Sequence, residues 1–514
     1  MANIIGIDLG TSTTLLAHLS NSGEAIIYKN KDNELLTHSA VWFEGERSVI
    51  VGTEAKKMFG VAKDDEIFIE FKRDMGDASV VHKVHGKEWH PRDFSALVLR
   101  QIREHFEANN GKIDAVIITI PANFSDEARV NTINAAKEAG FNLGNDALVN
   151  EPTAAAIYYA STSPSKLKGK YLIYDFGGGT FDATILDVDG DDIKVLTSMG
   201  VQRLGGKDLD EKLIGLIGLK YTQLLGREFK GKETMNEIQL TRWEVEQAKL
   251  TLSTRERVSV AMKTQDRGIV RAEITRNEFN EAISTLITQA ELAVDTALDN
   301  AKLEAKDLAG VFLAGGSTLV PAVAQSVERH LGIKPISRDP VGSVALGACM
   351  YSAIRNKTKL SGAQTVAVGA KQVQDVTPHF FGTTYRDRTS RKLMVETIIA
   401  KDRPLPCTET KSFSRGVQQG DSITIRITQS GSEQTDPDFV DIIWDGELKG
   451  LPLVQDDSEI KITYTYDTNG VMQCTILDVL SGKKLSASPL EKAGAAGGKK
   501  PAGGGVNIKD YTLE

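Results

Sequence analysis

Two aspartates in this chain stand in the same local setting. In Asn3-Ile-Ile-Gly-Ile-Asp-Leu-Gly-Thr-Ser-Thr13 an apolar run ends in Asp8, and the turn Gly10, Thr11, Ser12, Thr13 follows. In Tyr171-Leu-Ile-Tyr-Asp-Phe-Gly-Gly-Gly-Thr180 the run ends in Asp175, and Gly177, Gly178, Gly179 and Thr180 follow. Glycines permit a tight turn without a Cβ in the way, so that backbone N–H groups can converge on an anion. A carboxylate beside such a turn can hold a hydrated Mg²⁺ against phosphates. An ordinary glycine hairpin would account for one such turn. Two with one layout indicate an internally duplicated fold, with a nucleotide between the halves and a turn on each side of its phosphates. A third turn, Gly315-Gly316-Ser317, follows the run Val311 to Ala314 and could receive the adenosine end.

The elements that must position these turns are legible in outline. Ala115-Val-Ile-Ile-Thr-Ile-Pro121 reads as a buried parallel strand stopped by proline. Ser125 caps a helix that Gly140 ends. Glu151 stands where the strand Leu148-Val-Asn150 gives way to an Ala-rich helix, and strand–helix–strand order predicts α/β layers. Pro91 opens an amphipathic helix with Phe94, Leu97, Val98, Ile102 and Phe106 on one side. Leu204 to about Asn300 reads as mainly helical. Within it Glu246, Lys249 and Ser253 share one helix face, either as a salt-bridge stripe or as a wall for purine and ribose. Lys72, in Phe71-Lys-Arg73, reads by itself as a solvated lysine.

Near Asn356 helical text gives way to β text. Ser422–Ile427 and Glu459–Tyr466 alternate with period two, and the turn Asn469-Gly470 follows, which predicts a β-sandwich of about a hundred residues. Residues 493–505 are Ala, Gly, Lys and Pro, a composition expected to form a flexible linker. The last eight or nine residues are expected to be an unstructured end, with docking as the alternative.

Bulk properties exclude several classes. With 514 residues, 41% hydrophobic and 25% charged, two to four soluble domains are expected. A net charge of -8 argues against a nucleic-acid scaffold. No secretory signal and no run of eighteen apolar residues is visible, so a membrane role is not expected. Three scattered cysteines point to a reducing cytosol and a cytoplasmic protein. His82, His85 and His90 are close in sequence but lack partner cysteines or paired carboxylates at ligand spacing, so a metal site there is not favoured over a polar loop.

These motifs together resemble the DnaK-type seventy-kilodalton heat-shock chaperones. The resemblance rests on Ile7-Asp-Leu-Gly-Thr11, Phe71-Lys-Arg73, Pro121-Ala-Asn-Phe124, Asn150-Glu-Pro-Thr-Ala-Ala-Ala156, Asp175-Phe-Gly-Gly-Gly-Thr-Phe-Asp182 and Gly315-Gly-Ser-Thr318, in order and spacing over residues 3 to about 355. It extends more loosely from Asp375-Val-Thr-Pro378 to about Leu485. It implies an α/β actin-like (duplicated ribonuclease H-like) two-lobed ATPase domain followed by an all-β sandwich. The implied boundaries are 1–366 for the ATPase domain, 367–377 for a linker, 378–487 for a peptide-binding sandwich and 488–514 for a flexible tail. Lobe I would take about 1–165 plus a closing helix near 345–360, and lobe II about 166–344.

The resemblance also implies roles and partners. Asp8, Asp175 and Asp182 would hold hydrated Mg²⁺. Gly10 to Thr13 and Gly177 to Thr180 would hold the phosphates of ATP or ADP. Lys72, with Glu151, Asp175 and Thr180, would run the hydrolysis. Gly315, Gly316 and Ser317 would approach the adenosine, with Glu246, Lys249 and Ser253 closing over it, and Gly205 and Gly206 would also belong to the ATP site. Pro121 and Arg129 would couple nucleotide state to the peptide domain. Thr383, Phe413, Gly416 and Ile423 fall at peptide-groove positions. Partners would be extended segments of unfolded polypeptides, a J-domain co-chaperone and a nucleotide-exchange factor.

Departures from the family pattern are equally specific. Leu319 stands where an arginine usually lies against the adenine, and an expected acidic residue is missing from Asp339-Pro-Val-Gly-Ser-Val-Ala345. The linker Lys371-Gln-Val-Gln-Asp375 has lost the usual leucines, which puts its docking in question. Thr383 and Gly416 replace larger or more apolar groove residues, and the helical lid is expected to be absent. The first reading is therefore a lidless ATP-dependent chaperone. The alternative is a nucleotide-binding regulatory or scaffold member with one dedicated protein partner. A small-molecule kinase of the same actin-like superfamily would leave the sandwich unexplained.

Overall fold

The computed structural model describes residues 2–369, 371–415, 421–452, 458–487 and 506–514. The groove position Gly416 and the expected flexible linker 493–505 lie outside the described residues.

The strand Ile4–Leu9 is the centre of the first lobe. Its side chains are buried on both faces, as an unbroken apolar run requires. It pairs antiparallel with Thr13–Leu19 and parallel with Ala115–Ile120. Ala25–Tyr28 lies outside Thr13–Leu19, and Leu148–Asn150 lies outside Ala115–Ile120. The second lobe repeats this plan. Lys168–Phe176 pairs antiparallel with Thr180–Asp189 and parallel with Leu308–Ala314, and Asp192–Gln202 lies outside Thr180–Asp189. The matching turns of the sequence are thus matching corners of two sheets of one topology.

Two helices join the sheets into one body. Glu151–Thr162 and Ser343–Arg355 share a core with Ile4, Ile117, Ile173 and Phe312 from both sheets. Their approach is closed by glycine. A Cβ on Gly347 would lie 1.8 Å from the Ala154 carbonyl oxygen, and one on Gly6 would lie 2.0 Å from the Cys349 nitrogen. Among the described residues no helix is long and apolar enough to cross a membrane.

The mainly helical reading of 204–300 missed one hairpin. Arg257–Thr264 pairs with Gly268–Thr275, and its inward residues Val260, Met262, Ala272 and Ile274 are buried. The period-two alternation was present but is short and lies between two long helices.

The polar linker does dock. Gln372–Gln374 adds a parallel strand to the free edge of the second sheet, in register with Asp192–Lys194. A ladder of backbone bonds is indifferent to whether side chains are leucine or glutamine, so the loss of leucines does not prevent it. Beyond the linker, two four-stranded antiparallel sheets form a sandwich over Phe381, Ile427, Trp444, Tyr464 and Met472.

The unstructured-end expectation is overturned. Residues 506–514 lie on the first lobe, where Thr512–Leu513 pairs parallel with Ser48–Val49. Ile508 and Tyr511 are buried in its core. Two buried apolar side chains supply the burial energy that the composition of the preceding stretch could not.

The helix contact yields the first prediction. Gly347→Ala should destabilise the two-lobed domain by about 2 kcal/mol or more, since the Ala154 backbone facing it cannot yield without moving a helix. Thermal unfolding followed by calorimetry will show a lowered midpoint; an unchanged midpoint would contradict the tight approach.

Candidate nucleotide site and interdomain contacts

The two turns face each other across the cleft between the lobes. A Cβ on Gly178 would fall 2.3 Å from Ser12 Oγ, and one on Gly179 would fall 2.4 Å from Thr11 Oγ1. Glycine is therefore required at both positions for the lobes to close. Ser317 donates to the Gly177 carbonyl at 2.7 Å, and Gly206 N–H donates to the same oxygen at 3.0 Å. The third glycine turn is thereby fixed to the second. Gly205 is pressed onto the Gly178 backbone, 2.5 Å from where its Cβ would be.

These elements enclose a cavity of 590 Å³. Gly10 to Thr13, Gly177 to Thr180, Asp8, Asp175, Lys72 and Glu151 line its floor. Gly206, Gly315, Gly316, Ser317, Glu246, Lys249 and Ser253 line its other end. Leu319 lines it too, and with 49% of its surface exposed it presents an apolar side chain there.

The floor is electrostatically unbalanced. Lys72 is not solvated: only 4% exposed, it donates to Glu151. Its ammonium lies 5.6 Å from the Phe124 ring centre. Asp175 stands directly opposite Asp182 on the paired strands, and Asp8 accepts from Thr119 Oγ1 at 3.1 Å. Burial, then the Glu151 charge, raises the Asp8 carboxyl to about 7, and Lys72 only partly offsets this. Burial and Glu151 likewise raise Asp182 to about 8. Asp175 is pushed well up by burial and by Glu151, Asp182 and Asp8. One oxygen each of Asp175 and Asp182 is buried without a hydrogen-bond partner. Four carboxyl groups against one ammonium, with orphaned oxygens, are a donor set suited to a hard divalent cation.

The predicted face of the helix Arg242–Thr254 has a role that its spacing left open. Glu246 pairs with Lys56 of the first lobe at 3.0 Å, and Lys56 is only 3% exposed. Lys249 reaches Asp210 at 2.8 Å and the Gly206 carbonyl at 2.9 Å. The face is both a salt-bridge stripe and a cavity wall, and it closes one lobe on the other. Trp243 extends this contact, 5.5 Å from the His38 ring and 5.8 Å from Lys57 Nζ between centres. Lys56, Lys207 and Asp210 were not singled out from the sequence. No local motif marks them, because their partners are distant in the chain.

The coupling candidates lie at the contact between the first lobe and the sandwich. Arg129 donates to the carbonyls of Ala122 at 2.9 Å, Phe124 at 3.3 Å and Asn469 at 3.4 Å. Asn469, read as a turn residue, accepts from Ala147 and Leu148 N–H at 2.7 and 3.0 Å. Asp126 accepts from Met472 N–H at 2.9 Å, and Asp375 of the linker accepts from Asn150 and Thr153 at 2.8 and 2.9 Å. Pro121 is buried at the end of its strand and lines a smaller cavity beside Lys72.

The family model for the Hsp70 protein matches residues 4–84 and 72–496. This chain is a member of the Hsp70 family. It is 30% identical to the chaperone protein DnaK of Thermotoga neapolitana over 497 residues, spanning 94% of this chain and 79% of that one. The DnaK of Mycoplasma mobile is 30% identical over 492 residues, 93% and 77% of the two chains. That of Thermosipho melanesiensis is 29% identical over 491 residues, 94% and 79%. The doubled lobes are the actin-like ATPase fold of Hsp70, and the β domain is its sandwich.

Of the expected peptide-groove positions, one lies inside the sandwich. Thr383 is 1% exposed and donates to the Arg426 carbonyl at 2.9 Å. It belongs to the interior of the sandwich, so the expectation that it faces a peptide is corrected. A buried hydroxyl needs a partner, and the neighbouring strand supplies it. Phe413 and Ile423 are half-buried, on different sheets. The three histidines are accounted for separately. His82 packs on Phe68 and Phe94 at 5.0 and 5.5 Å, His90 N–H is bound by Asp93 at 2.7 Å, and His85 occupies a positive-φ turn position.

The Lys56–Glu246 pair predicts a pH dependence. Burial opposes the Glu246 charge, but Lys56 and Lys249 overrule it and hold the carboxyl at about 2. A depressed carboxylate stabilises above its unfolded value near 4.5 and loses that contribution as pH falls toward 2. Glu246→Gln should flatten the stability profile between those limits, by about 2 kcal/mol. Denaturant titrations of both proteins across that range are the check; parallel profiles would contradict the pairing.

Proposed function

We propose that this chain is a Mg²⁺-dependent ATPase that uses nucleotide turnover to control a peptide-binding sandwich, and so acts as a molecular chaperone. The observation that carries this reading is the floor of the cavity: one buried lysine held by Glu151, with Asp8 and Asp175 beside it and Asp182 opposite Asp175 on the paired strand, between two facing phosphate turns. The DnaK relatives are named as chaperones, which supports the same reading.

Phosphoryl transfer asks for positioning and charge stabilisation rather than covalent chemistry from the protein. Bound Mg²⁺ would neutralise the β- and γ-phosphate oxygens, with Asp8, Asp175 and Asp182 holding it through water. Thr11, Ser12 and the 177–180 turn would grip those oxygens through hydroxyl and N–H donors. Lys72, oriented by Glu151, would place its ammonium against the γ-phosphate, stabilise charge as it develops and orient the attacking water. Thr180 would complete the water's cage. Leu319 would pack against the base without the charge an arginine brings, so nucleotide affinity would rest chiefly on the phosphates.

The sandwich would bind extended apolar segments of unfolded chains, with a J-domain protein and an exchange factor as partners. The docked linker and the Arg129–Asn469 contact would give nucleotide state a route to it. The segment 506–514 runs to the first lobe rather than over the sandwich. Burial of Thr383 favours a second reading, in which the sandwich serves one dedicated protein and nucleotide is a structural ligand.

Single-turnover ATP hydrolysis separates the two. Lys72→Ala and Glu151→Ala should each slow it by about 10²-fold or more, and an excess of extended apolar peptide should accelerate the unmodified protein. Tight ATP binding without turnover would favour the second reading. Phosphate appearing on a sugar would point to a kinase.

A further inference from the structure

The segment 506–514 is held by more than surface contact. Thr512 N–H donates to the Arg47 carbonyl at 2.8 Å and Glu514 N–H to the Val49 carbonyl at 3.1 Å. Together they extend the small sheet of the first lobe by a parallel strand. Arg100 donates to the carbonyls of Ile508 and Tyr511 at 2.7 and 2.8 Å. The Tyr511 ring is 3% exposed and lies edge-on to Trp89 at 5.0 Å and Phe43 at 6.1 Å. Lys87 donates to its hydroxyl at 3.0 Å with the ammonium 5.0 Å from the ring centre. Ser48 donates to the Glu514 carboxylate at 2.8 Å, and Lys31 to its backbone oxygen. An aromatic pocket, cationic donors and an open strand edge are the parts of a peptide-recognition site that works by strand addition.

The position of this site gives it a consequence. The edge strand Ser48–Val51 leads through Gly52 into the helix Thr53–Met58. That helix carries Lys56, whose pair with Glu246 closes the lobes over the cavity, and Lys57, which sits over Trp243. The edge of the sheet and the gate are therefore contiguous in the chain. Pairing one edge of a short strand restrains the backbone from which the gate helix springs.

We propose that the edge of this sheet is a recognition site for the chain's own segment 506–514, bound in cis, and that its occupancy braces the Lys56 gate and slows nucleotide release. The slowing rests on the nucleotide reading above, whereas the recognition does not.

The test uses the full chain and its Tyr511→Ala variant, which removes the buried ring and leaves the cavity untouched. Hydrogen exchange without nucleotide reads the brace directly. Amides of 48–51 and 53–58 should exchange several-fold faster in the variant, and unchanged protection of 53–58 would overturn the proposal. Dissociation of a fluorescent ADP analogue reads the consequence. It should be several-fold faster in the variant and return toward the original rate when a synthetic peptide of residues 506–514 is added. Equal rates in the two proteins would overturn it. A release rate that depends on protein concentration would place the segment on a second copy and overturn binding in cis. Failure of both proteins to bind nucleotide would instead sink the ATPase reading, and the exchange experiment would still decide the brace.

Discussion

The excess of buried negative charge on the cavity floor is the constraint around which the molecule is arranged. Asp8 and Asp175 come from corresponding corners of the two sheets, and Asp182 and Glu151 close in from their neighbours. Left to themselves such groups would repel or take up protons. They are kept together because each is fixed to an element the core cannot release: Asp8 and Asp175 end central strands, and Glu151 begins a helix packed between the sheets. The stability of the two lobes is in this sense committed to holding an unfavourable arrangement that a cation and phosphates would make favourable.

Beyond the core that the two joining helices share with both sheets, the lobes meet around that floor through ion pairs. Lys56–Glu246, Lys207–Glu70 and Arg73–Asp208 all cross between them. Paired charges can separate into water at far smaller cost than a buried apolar face of the same area. A cleft that must admit a nucleotide is well served by such a contact. The sandwich is held to the first lobe by hydrogen bonds, with Arg129, Asp126 and Asn469 bonding mostly to backbone.

The sequence was informative where chemistry is local. A strand ending in aspartate before a glycine turn can be read from ten residues, and both turns, the third glycine turn and the helix after Ser125 stand where their patterns place them. The position of Lys72 could be named only through the family resemblance, because nothing in Phe71-Lys-Arg73 says that Glu151 will lie beside it. Lys56, Asp126 and Asn469 were missed for the same reason: each acts on a partner remote in the chain. Tyr511 was missed because composition was averaged over a tail whose last residues differ from the rest. Thr383 was misplaced because a groove position was carried over without asking what would satisfy its hydroxyl once buried.

The docked linker shows what kind of information a joint between domains must carry. Gln372, Val373 and Gln374 meet Asp192, Ile193 and Lys194 through the main chain, while the side chain that fixes the end of the segment is Asp375, bonded to Asn150 and Thr153. The exposed Gln372 and Gln374 are then free to drift in composition so long as neither becomes proline, which would delete a donor from the ladder, while Val373 packs against the core of the lobes. The joint is encoded by length, by Val373 and by one terminal acid, so two proteins can share its geometry while their linkers have few letters in common.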